Sequence, residues 1–226
     1  MIGPNGSGKS SLLELINRTI YPVLKKDSVF KLFNKELINI WELRKKISTV
    51  NNDVKGRIKA RITVFDLIIS GLYGKYCKIY DKSEEDVLSA ENLINKMLLT
   101  NLSQNLFSHL SEGEKQIVLI ARAIIKKPKI LILDEPTANL DLKSKFQVID
   151  KINELNTLNT KIICITHDIS MITKIYNRII MLKDRMIIAD GTQNEIINSE
   201  NLSNLFDIKI DVTKHKGNWH IYRKSK

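Results

Sequence analysis

The sequence predicts an α/β fold with a mainly parallel sheet and an inserted, all-helical subdomain. Residues 130–133 form a continuous apolar run, which is typical of a strand buried on both faces of a parallel sheet. Beyond this run, strand-like and helix-like segments alternate, as parallel strands joined by crossover helices require. Between about residues 53 and 125 the patterns are helical, so we expect this part to form the subdomain.

In the first half of the chain, apolar spacing and capping residues define the elements. A broad apolar stripe over residues 10–24 predicts a helix that ends near Pro22. Residues 44–50 predict a strand that leads into a loop at Asn52. Further helices are expected to begin at three residues that suit a helix N-terminus: Thr63, Ser83 and Ser111, the last in the S-x-x-E form of a capping box.

The second half of the chain is predicted to carry most of the sheet. We expect one domain over residues 1–226, with a core of residues 1–52 and 126–226 and a helical subdomain of about 53–125. The late apolar residues Phe206, Ile208 and Ile210 are expected to cover the sheet. After the first buried strand we expect helices at 146–155 and 170–176, and strands at 161–166, 178–182 and 186–189.

The composition excludes several classes of protein. At 226 residues, 43% of them hydrophobic, the chain can bury the core of a globular domain. No run approaches the ~18 apolar residues that a membrane span needs. Cys77 and Cys164 lack metal-ligand spacing, so we expect reduced thiols, a buried Cys164 and a cytoplasmic setting. The net charge of +11 permits nucleic-acid binding, but the basic residues are scattered, so we do not expect nucleic acid as a partner.

A glycine-rich loop at residues 3–10 carries the clearest chemical signal. It fits the pattern G-x-x-x-x-G-K-[ST], in which backbone N–H groups surround the phosphates of a nucleotide. Lys9 lies at the start of the following helix, from which its ammonium can reach the β- and γ-phosphates. Ser10 supplies a hydroxyl for Mg²⁺. Only Met1 and Ile2 precede the loop, too few for the strand that normally leads into it.

Two adjacent carboxylates, Asp134 and Glu135, follow the apolar run at residues 130–133. At the end of a buried strand, Asp134 is placed to hold the Mg²⁺ shell, and Glu135 is placed to orient and deprotonate the attacking water. Paired carboxylates at an apolar strand are costly unless a cation or water network uses them. Alone they could also mark a solvated strand end, but together with the loop they favour a nucleotide hydrolase.

With these motifs, the chain resembles the ATP-binding cassette (ABC) ATPases over essentially its whole length. Residues 110–116, Leu-Ser-Glu-Gly-Glu-Lys-Gln, resemble the signature motif of that family. Residues 138–141, Ala-Asn-Leu-Asp, resemble its D-loop, and residues 165–168, Ile-Thr-His-Asp, resemble the segment with its switch histidine. The similarity is greatest to the lone ATP-binding subunits of iron-chelate and molybdate importers. It implies a phosphate-loop NTPase core and two cassettes paired head to tail around two ATP molecules.

The resemblance also implies roles for individual residues. Glu135 would be the catalytic base, His167 would hold the γ-phosphate and the attacking water, and Lys9 would contact phosphate. Ser10 and Asp134 would hold Mg²⁺. The residues implied to bind ATP are Gly3, Pro4, Asn5, Gly6, Ser7, Gly8, Lys9, Ser10, Ser11 and Asn52 in one subunit, with Ser111, Gly113 and Asp141 at the dimer interface.

Three features depart from the pattern of the family. Asn52 stands where Gln is usual and is one methylene shorter, whereas Glu112 and Glu114 place negative charge near a phosphate site. The aromatic residue that stacks on adenine lies upstream of the loop in the family, in a region that this sequence does not contain. We therefore expect an N-terminally truncated ATPase that is poorly stable and binds ATP weakly, through its phosphates alone.

The resemblance implies an ATP-binding and ATP-hydrolysing subunit of a transporter, with import the expected direction. Its partners would be separate transmembrane permease subunits and a second copy of itself, or a paired ABC subunit. It would lie in the cytoplasm, on the inner face of the cell membrane. Two alternatives stay open: a soluble ABC ATPase that acts on ribosomes or nucleic acid, and an inactive, truncated nucleotide-binding remnant.

Overall fold

A computed structural model describes residues 1–23, 25–26, 28–157 and 159–224, with the side chain of Asn52 outside the description. It divides into two compact units, the first of Met1–Arg44 and Cys164–Lys226 and the second of Lys45–Ile163. The predicted boundaries of the helical subdomain, at residues 53 and 125, stay a prediction. No helix within the described ranges is long and apolar enough to cross a lipid bilayer.

The elements alternate along much of the chain, as the sequence predicts. The helices of the described residues are α1 (Lys9–Ile16), α2 (Ile40–Lys46), α3 (Val64–Ser70), α4 (Glu84–Lys96), α5 (Glu112–Ile124), α6 (Leu142–Glu154), α7 (Gln193–Ile196) and α8 (Ser199–Phe206). The strands are β1 (Ile47–Val50), β2 (Ile130–Asp134), β3 (Lys161–Ile165), β4 (Ile179–Lys183), β5 (Met186–Gly191), β6 (Ile210–His215) and β7 (Asn218–Arg223).

The first unit is built around two antiparallel hairpins. β4 and β5 meet at the turn Asp184-Arg185, whose φ angles of 49° and 65° match the twist that a two-residue hairpin turn needs. β6 and β7 form the second hairpin. Ile2 bridges in parallel to Met181 of β4 and to Thr166, which follows β3. The core of this unit is formed by Ile2, Ile169, Ile172, Ile179, Met181, Ile196, Ile197, Leu202, Leu205 and Ile210.

The second unit contains the parallel strands β1 and β2 and the first residues of β3. β1 pairs in parallel with β2, from Ile47 opposite Ile130 to Val50 opposite Leu133, and β3 comes next in the sheet order. Residues 131–133 are fully buried, as the apolar run predicts. Helix α5 packs against α3, α6 and β1, which explains why ten of its thirteen residues are buried. The predicted α/β fold with a parallel sheet is therefore confirmed.

The three predicted helix caps are present. The hydroxyl of Thr63 accepts a hydrogen bond from the backbone N–H of Asp66 at 3.1 Å, and Ser83 caps α4 in the same way. Ser111 and Glu114 form the complete capping box of α5. Side-chain oxygens thus satisfy part of the N–H groups that a helix start leaves without partners.

Two predicted helices are wrong in their extent. The helix predicted over residues 10–24 ends at Ile16, because Arg18 has a left-handed φ of 56° and the N–H of Thr19 donates back to the carbonyl of Glu14. Its predicted end, Leu24, lies outside the described residues. The helix predicted at residues 170–176 is only a short 3-10 turn, Ile169–Met171, fixed when the Asp168 side chain accepts a hydrogen bond from Ser170.

Other element boundaries differ by a few residues. The strand predicted over residues 44–50 begins at Ile47, because the residues before it complete α2. The helix predicted at residues 146–155 begins at Leu142, since Asp141 caps it by accepting from the N–H of Ser144. Ile208 is 51% exposed and does not cover the sheet, whereas Ile210 is buried in the core of the first unit.

Candidate functional site

The phosphate-binding loop, residues 3–10, is shaped by three glycines in the first unit. A Cβ on Gly3 would lie 2.2 Å from the carbonyl oxygen of Leu182, so only glycine allows the loop to approach β4 this closely. Gly6 and Gly8 have φ angles of 79° and 99°, which L-residues rarely adopt. Steric constraints therefore explain why each of these three positions is a glycine.

The loop leads directly into α1, whose N-terminus has no side-chain cap. Gly8 is the N-cap residue and makes no side-chain hydrogen bond. The first backbone N–H groups of a helix have no carbonyl partner in the preceding turn, and they carry partial positive charge. Ser10 and Ser11 are exposed at this end of α1. An uncapped helix start that follows a glycine loop is suited to phosphate.

Two buried polar side chains line the loop. Lys9 is 7% exposed, and its Nζ donates to the carbonyls of Gly3 at 2.8 Å and Pro4 at 2.7 Å. The Oγ of Ser7 is buried and makes no hydrogen bond to any described residue. A buried hydroxyl without a partner costs free energy that a ligand oxygen can offset. Both groups therefore fit the phosphates of a nucleotide.

The β4–β5 hairpin holds the loop in place. The N–H of Arg185 donates to the carbonyl of Ser7 at 3.1 Å. Ile2, at the entrance of the loop, receives a bond from the N–H of Leu182 and donates to Ile180, each at 2.9 Å. The sequence predicts the two strands of this hairpin but not this contact, because backbone hydrogen bonds to a distant loop leave no residue pattern.

His167 lies close to the entrance of the loop. The N–H of Thr166 donates to the carbonyl of Met1 at 3.1 Å, so the turn that carries His167 follows a residue bonded to the start of the chain. The N–H of Asp168 donates to the Thr166 hydroxyl at 2.9 Å, which fixes this turn. His167 itself is exposed. The first unit thus brings together the predicted loop and the segment with the predicted switch histidine.

The carboxylates Asp134 and Glu135 lie in the second unit, where β2 ends. Both are half-buried. Glu135 has a left-handed φ of 46°, a conformation that costs a non-glycine residue free energy. The N–H of Ala138 donates to the Glu135 carbonyl at 3.1 Å and closes this turn. Backbone strain of this kind concentrates at functional sites, and Glu135 adopts it directly after a buried strand.

Ser111 of the signature motif already makes hydrogen bonds within the capping box of α5. Its backbone N–H and its hydroxyl both donate to Oε2 of Glu114, at 2.8 and 2.7 Å. The Glu114 N–H donates to the Ser111 hydroxyl at 3.3 Å. The Glu114 carboxylate is therefore the anion that interacts with the N-terminus of α5. A phosphate group that bound Ser111 would have to replace this carboxylate as the acceptor.

Gly113 allows α5 to approach the start of α6. A Cβ on Gly113 would lie 2.7 Å from the Cβ of Ser144 and 3.3 Å from its Cα. Ser144 is in turn held by Asp141, whose carboxylate accepts from the Ser144 N–H at 3.0 Å and from its hydroxyl at 2.6 Å. These two bonds hold the pKa of Asp141 below its ordinary value. The structure thus brings Ser111, Gly113 and Asp141 into one cluster.

The negative charge of Glu112 is balanced by two lysines. Glu112 forms ion pairs with Lys115 at 2.8 Å and with Lys55 at 2.6 Å, and these hydrogen bonds, the first larger in effect, lower the pKa of Glu112. Lys55 belongs to the 3-10 helix Asn52–Arg57, so the ion pair also ties the segment that begins at Asn52 to the signature motif. The sequence comparison with the family highlights Glu112 but does not reveal its partners, which lie 57 and 3 residues away.

A magnesium site with several protein ligands is not found. Among the described residues, no group of three or more His, Cys, Asp or Glu side chains could hold a metal ion. Mg²⁺ at a nucleotide takes only one or two protein ligands, because phosphate oxygens and water supply the others. The Ser10 hydroxyl and the Asp134 carboxylate are hard oxygen donors of the kind that Mg²⁺ prefers, so the donor chemistry fits.

Comparison with known proteins identifies relatives along nearly the whole chain. A model of the family described as ABC transporter matches residues 1–138, more than half of the chain. The uncharacterized ABC transporter ATP-binding protein YmeB of Lactococcus lactis is 31% identical over 225 residues, which cover 98% of this chain and 86% of that protein. A probable metal transport system ATP-binding protein of Chlamydia muridarum is 33% identical over 199 residues, covering 85% and 78%.

Solved structures share the fold. One, described as "An inward-facing conformation of a putative metal-chelate type ABC transporter", matches with a TM-score of 0.76 and 26% identity, over 100% of this chain and 85% of that chain. Another is cbiO1 from Clostridium perfringens, described as part of the ABC transporter complex cbiONQ, with a TM-score of 0.72 and 26% identity over 90% and 80%.

Replacing Gly113 by Ala should destabilise the protein. A Gly→Ala change inside a helix alone gains about 1 kcal/mol, but crowding a packed contact costs about 1–3 kcal/mol. We expect the crowding to dominate, since the nearest atom is the Cβ of Ser144, which no rotation of the side chain moves. The measurement is the urea dependence of unfolding for Gly113→Ala alone and combined with Ser144→Gly or Ser144→Ala. Gly113→Ala should cost less stability in the Ser144→Gly background than in the Ser144→Ala background, each measured against its own Ser144 single variant, and equal costs would disprove the contact.

The pKa of Glu112 should lie below its ordinary value of 4.5 and should depend on both lysines. A lowered pKa means that the ion pairs stabilise the fold above pH 4.5 and are lost as the pH falls through the lowered value. An NMR titration of the Glu112 carboxyl should give a higher pKa in Lys115→Gln and a smaller increase in Lys55→Gln. Lys151→Gln, which removes a comparable pair with Glu154, should leave the titration unchanged. A Glu112 pKa that is the same in all these variants contradicts the pairing.

Proposed function

The chain belongs to the ABC transporter family, and we propose that it drives the import of a metal ion or metal chelate through separate membrane subunits. It is an ATP-binding subunit of an ABC transporter and an ABC ATPase. The proposal adds the cargo, the direction of transport and the partners. It also places the subunit on the cytoplasmic face of the membrane, since its permease partners would recruit it there.

Support for a metal cargo comes from the similar proteins. The Chlamydia muridarum relative is named for metal transport, and the structure matched over the whole chain is described as metal-chelate type. The second structure is described as part of a complex with further components. These descriptions support a metal ion or a metal chelate as the cargo.

The observation that carries the ATPase mechanism is the geometry of the phosphate loop. Gly6 and Gly8 give the loop its left-handed turns, and the uncapped start of α1 adds positive potential. We propose that Lys9 releases one of its two loop carbonyls and donates to the β- and γ-phosphates of ATP. The buried hydroxyl of Ser7 would gain its missing partner from the same ligand.

Hydrolysis requires a base and a cation beside the γ-phosphate. We assign the base to Glu135, which would take a proton from the attacking water, and we assign orientation of that water to His167. Ser10 and Asp134 would hold Mg²⁺, which supplies charge neutralisation at the phosphates when bound. Asn52 provides an amide in the position where a Gln is usual in the family, and we propose that it acts through water.

The signature motif would act on the ATP of a partner subunit in a head-to-tail dimer, either a homodimer or a pair with another ABC subunit. Ser111 and the N–H of Gly113 would contact the γ-phosphate there, and Asp141 would link the two sites. In the single chain, the Glu114 carboxylate accepts the hydrogen bonds that Ser111 donates. Dimer formation around ATP would therefore exchange one acceptor for another at the start of α5.

Replacement of Glu135 by Gln tests the role of the base. We expect hydrolysis of Mg-ATP to slow by at least about 100-fold, because general-base catalysis contributes about 10²–10⁴-fold. ATP affinity should stay within about twofold, since Gln preserves the shape of the side chain. Phosphate release and ATP binding are measured on the same preparations. Glu154→Gln, a surface glutamate paired with Lys151, is the matched control and should hydrolyse ATP normally.

The same variants test the transport proposal in cells. Uptake of radiolabelled iron, cobalt and their chelates should fall to background with Glu135→Gln and remain normal with Glu154→Gln. Hydrolysis that continues unchanged in Glu135→Gln would remove Glu135 from the mechanism. Loss of hydrolysis without loss of any metal uptake would instead refute the metal cargo and leave the ATPase assignment standing.

A further inference from the structure

The β6–β7 hairpin places two of the four histidines of the chain side by side. His215 is the last residue of β6 and lies opposite Asn218, whereas His220 in β7 lies opposite Thr213. The two histidines are thus diagonal neighbours on one face of the hairpin. Their ring centroids are 6.3 Å apart, with an interplanar angle of 62°.

This face of the hairpin points to solvent. His215 and His220 are exposed, as are Thr213 and Asn218 beside them. The opposite face packs on the core of the first unit through Ile210, Val212 and Trp219, so among the described residues the histidine face is the exposed one.

The nearest strand cation is directed away from the histidines. Lys214 points to the opposite face, where its Nζ lies 4.6 Å from the centroid of the Trp219 ring and donates to the side chain of Asn194 at 3.1 Å. Asp211, on the same face as the histidines, pairs with Lys224 at 3.6 Å. Lys214 therefore lies on the face away from the imidazoles, and the charge of Lys224 is paired with the carboxylate of Asp211.

We propose that His215 and His220 bind one divalent transition-metal ion. Metal–nitrogen bonds of about 2.0–2.1 Å place the centroids of two imidazoles on one ion about 4.5–6.4 Å apart, for angles between 90° and 180° at the metal. The observed 6.3 Å lies near the upper end of this range, and a tetrahedral angle at the metal requires the rings to approach by about 1 Å through side-chain rotation.

The donor set selects the class of ion. Imidazole suits Zn²⁺, Ni²⁺, Cu²⁺ and Co²⁺, whereas Mg²⁺ and Ca²⁺ prefer oxygen ligands. Water and the amide of Asn218 would complete the coordination, since two imidazoles leave positions open. The site is independent of nucleotide and of the proposed transport function, because it uses none of the residues assigned to ATP.

Fluorescence of Trp219 gives a direct measure of binding. The chain has two tryptophans, and replacing the exposed Trp41 by Phe leaves Trp219 as the single reporter. Trp219 neighbours His220, and bound Ni²⁺ quenches a nearby indole by energy and electron transfer. NiCl₂ is titrated into Trp41→Phe protein without nucleotide, and we expect saturable quenching with one ion per chain, reversed by ZnCl₂ through competition.

Single histidine variants in the Trp41→Phe background locate the ion. His215→Asn and His220→Asn should each weaken Ni²⁺ binding at least tenfold, whereas His109→Asn, which removes an exposed histidine from the second unit, should bind as the parent does. Circular dichroism and thermal unfolding confirm that each variant is folded. Absence of saturable quenching up to millimolar Ni²⁺ overturns the proposal, and so does parental affinity in either hairpin variant.

Discussion

The approach of the phosphate loop to the β4–β5 hairpin is the contact on which the candidate site depends. Gly3 lies so close to the carbonyl of Leu182 that a single methyl group would not fit, and Arg185 holds the far side of the loop through Ser7. These contacts tie the loop to a hairpin whose core residues are buried. The loop backbone is therefore held in shape before any nucleotide arrives, which reduces the entropy lost on binding.

The N-termini of α1 and α5 differ in how they interact with negative charge. The start of α1 has no side-chain cap, and such a helix start suits a phosphate group. The start of α5 already holds the carboxylate of Glu114, and the adjacent Glu112 is balanced by lysines. The departures from the family signature are thus locally compensated. The first helix start suits the ATP of the same subunit, whereas the second would exchange its own carboxylate for the phosphate of a partner.

Much of the fold could be predicted from local signals, and the failures have a common cause. Buried strands and capping serines depend on residues close in sequence, so residues 131–133 and Ser111 were placed correctly. The early end of α1 depends on a left-handed Arg18, which side-chain type does not encode. The β6–β7 hairpin was missed because most of its residues are polar. At the site, the sequence motifs indicate the chemistry. The contact of Ser144 with Gly113 could not be predicted, because it depends on how α5 packs on α6.

The most direct test is the affinity of Gly3→Ala for Mg-ATP, measured by isothermal titration calorimetry beside Gly56→Ala. Gly56 has open space around it and no left-handed φ, so its variant carries the same chemical change without the clash. We predict that Gly3→Ala binds Mg-ATP at least about tenfold more weakly, a loss of about 1.4 kcal/mol or more, while Gly56→Ala binds as the parent does. Parental affinity in a folded Gly3→Ala protein would show that the close contact with β4 does not shape the nucleotide site.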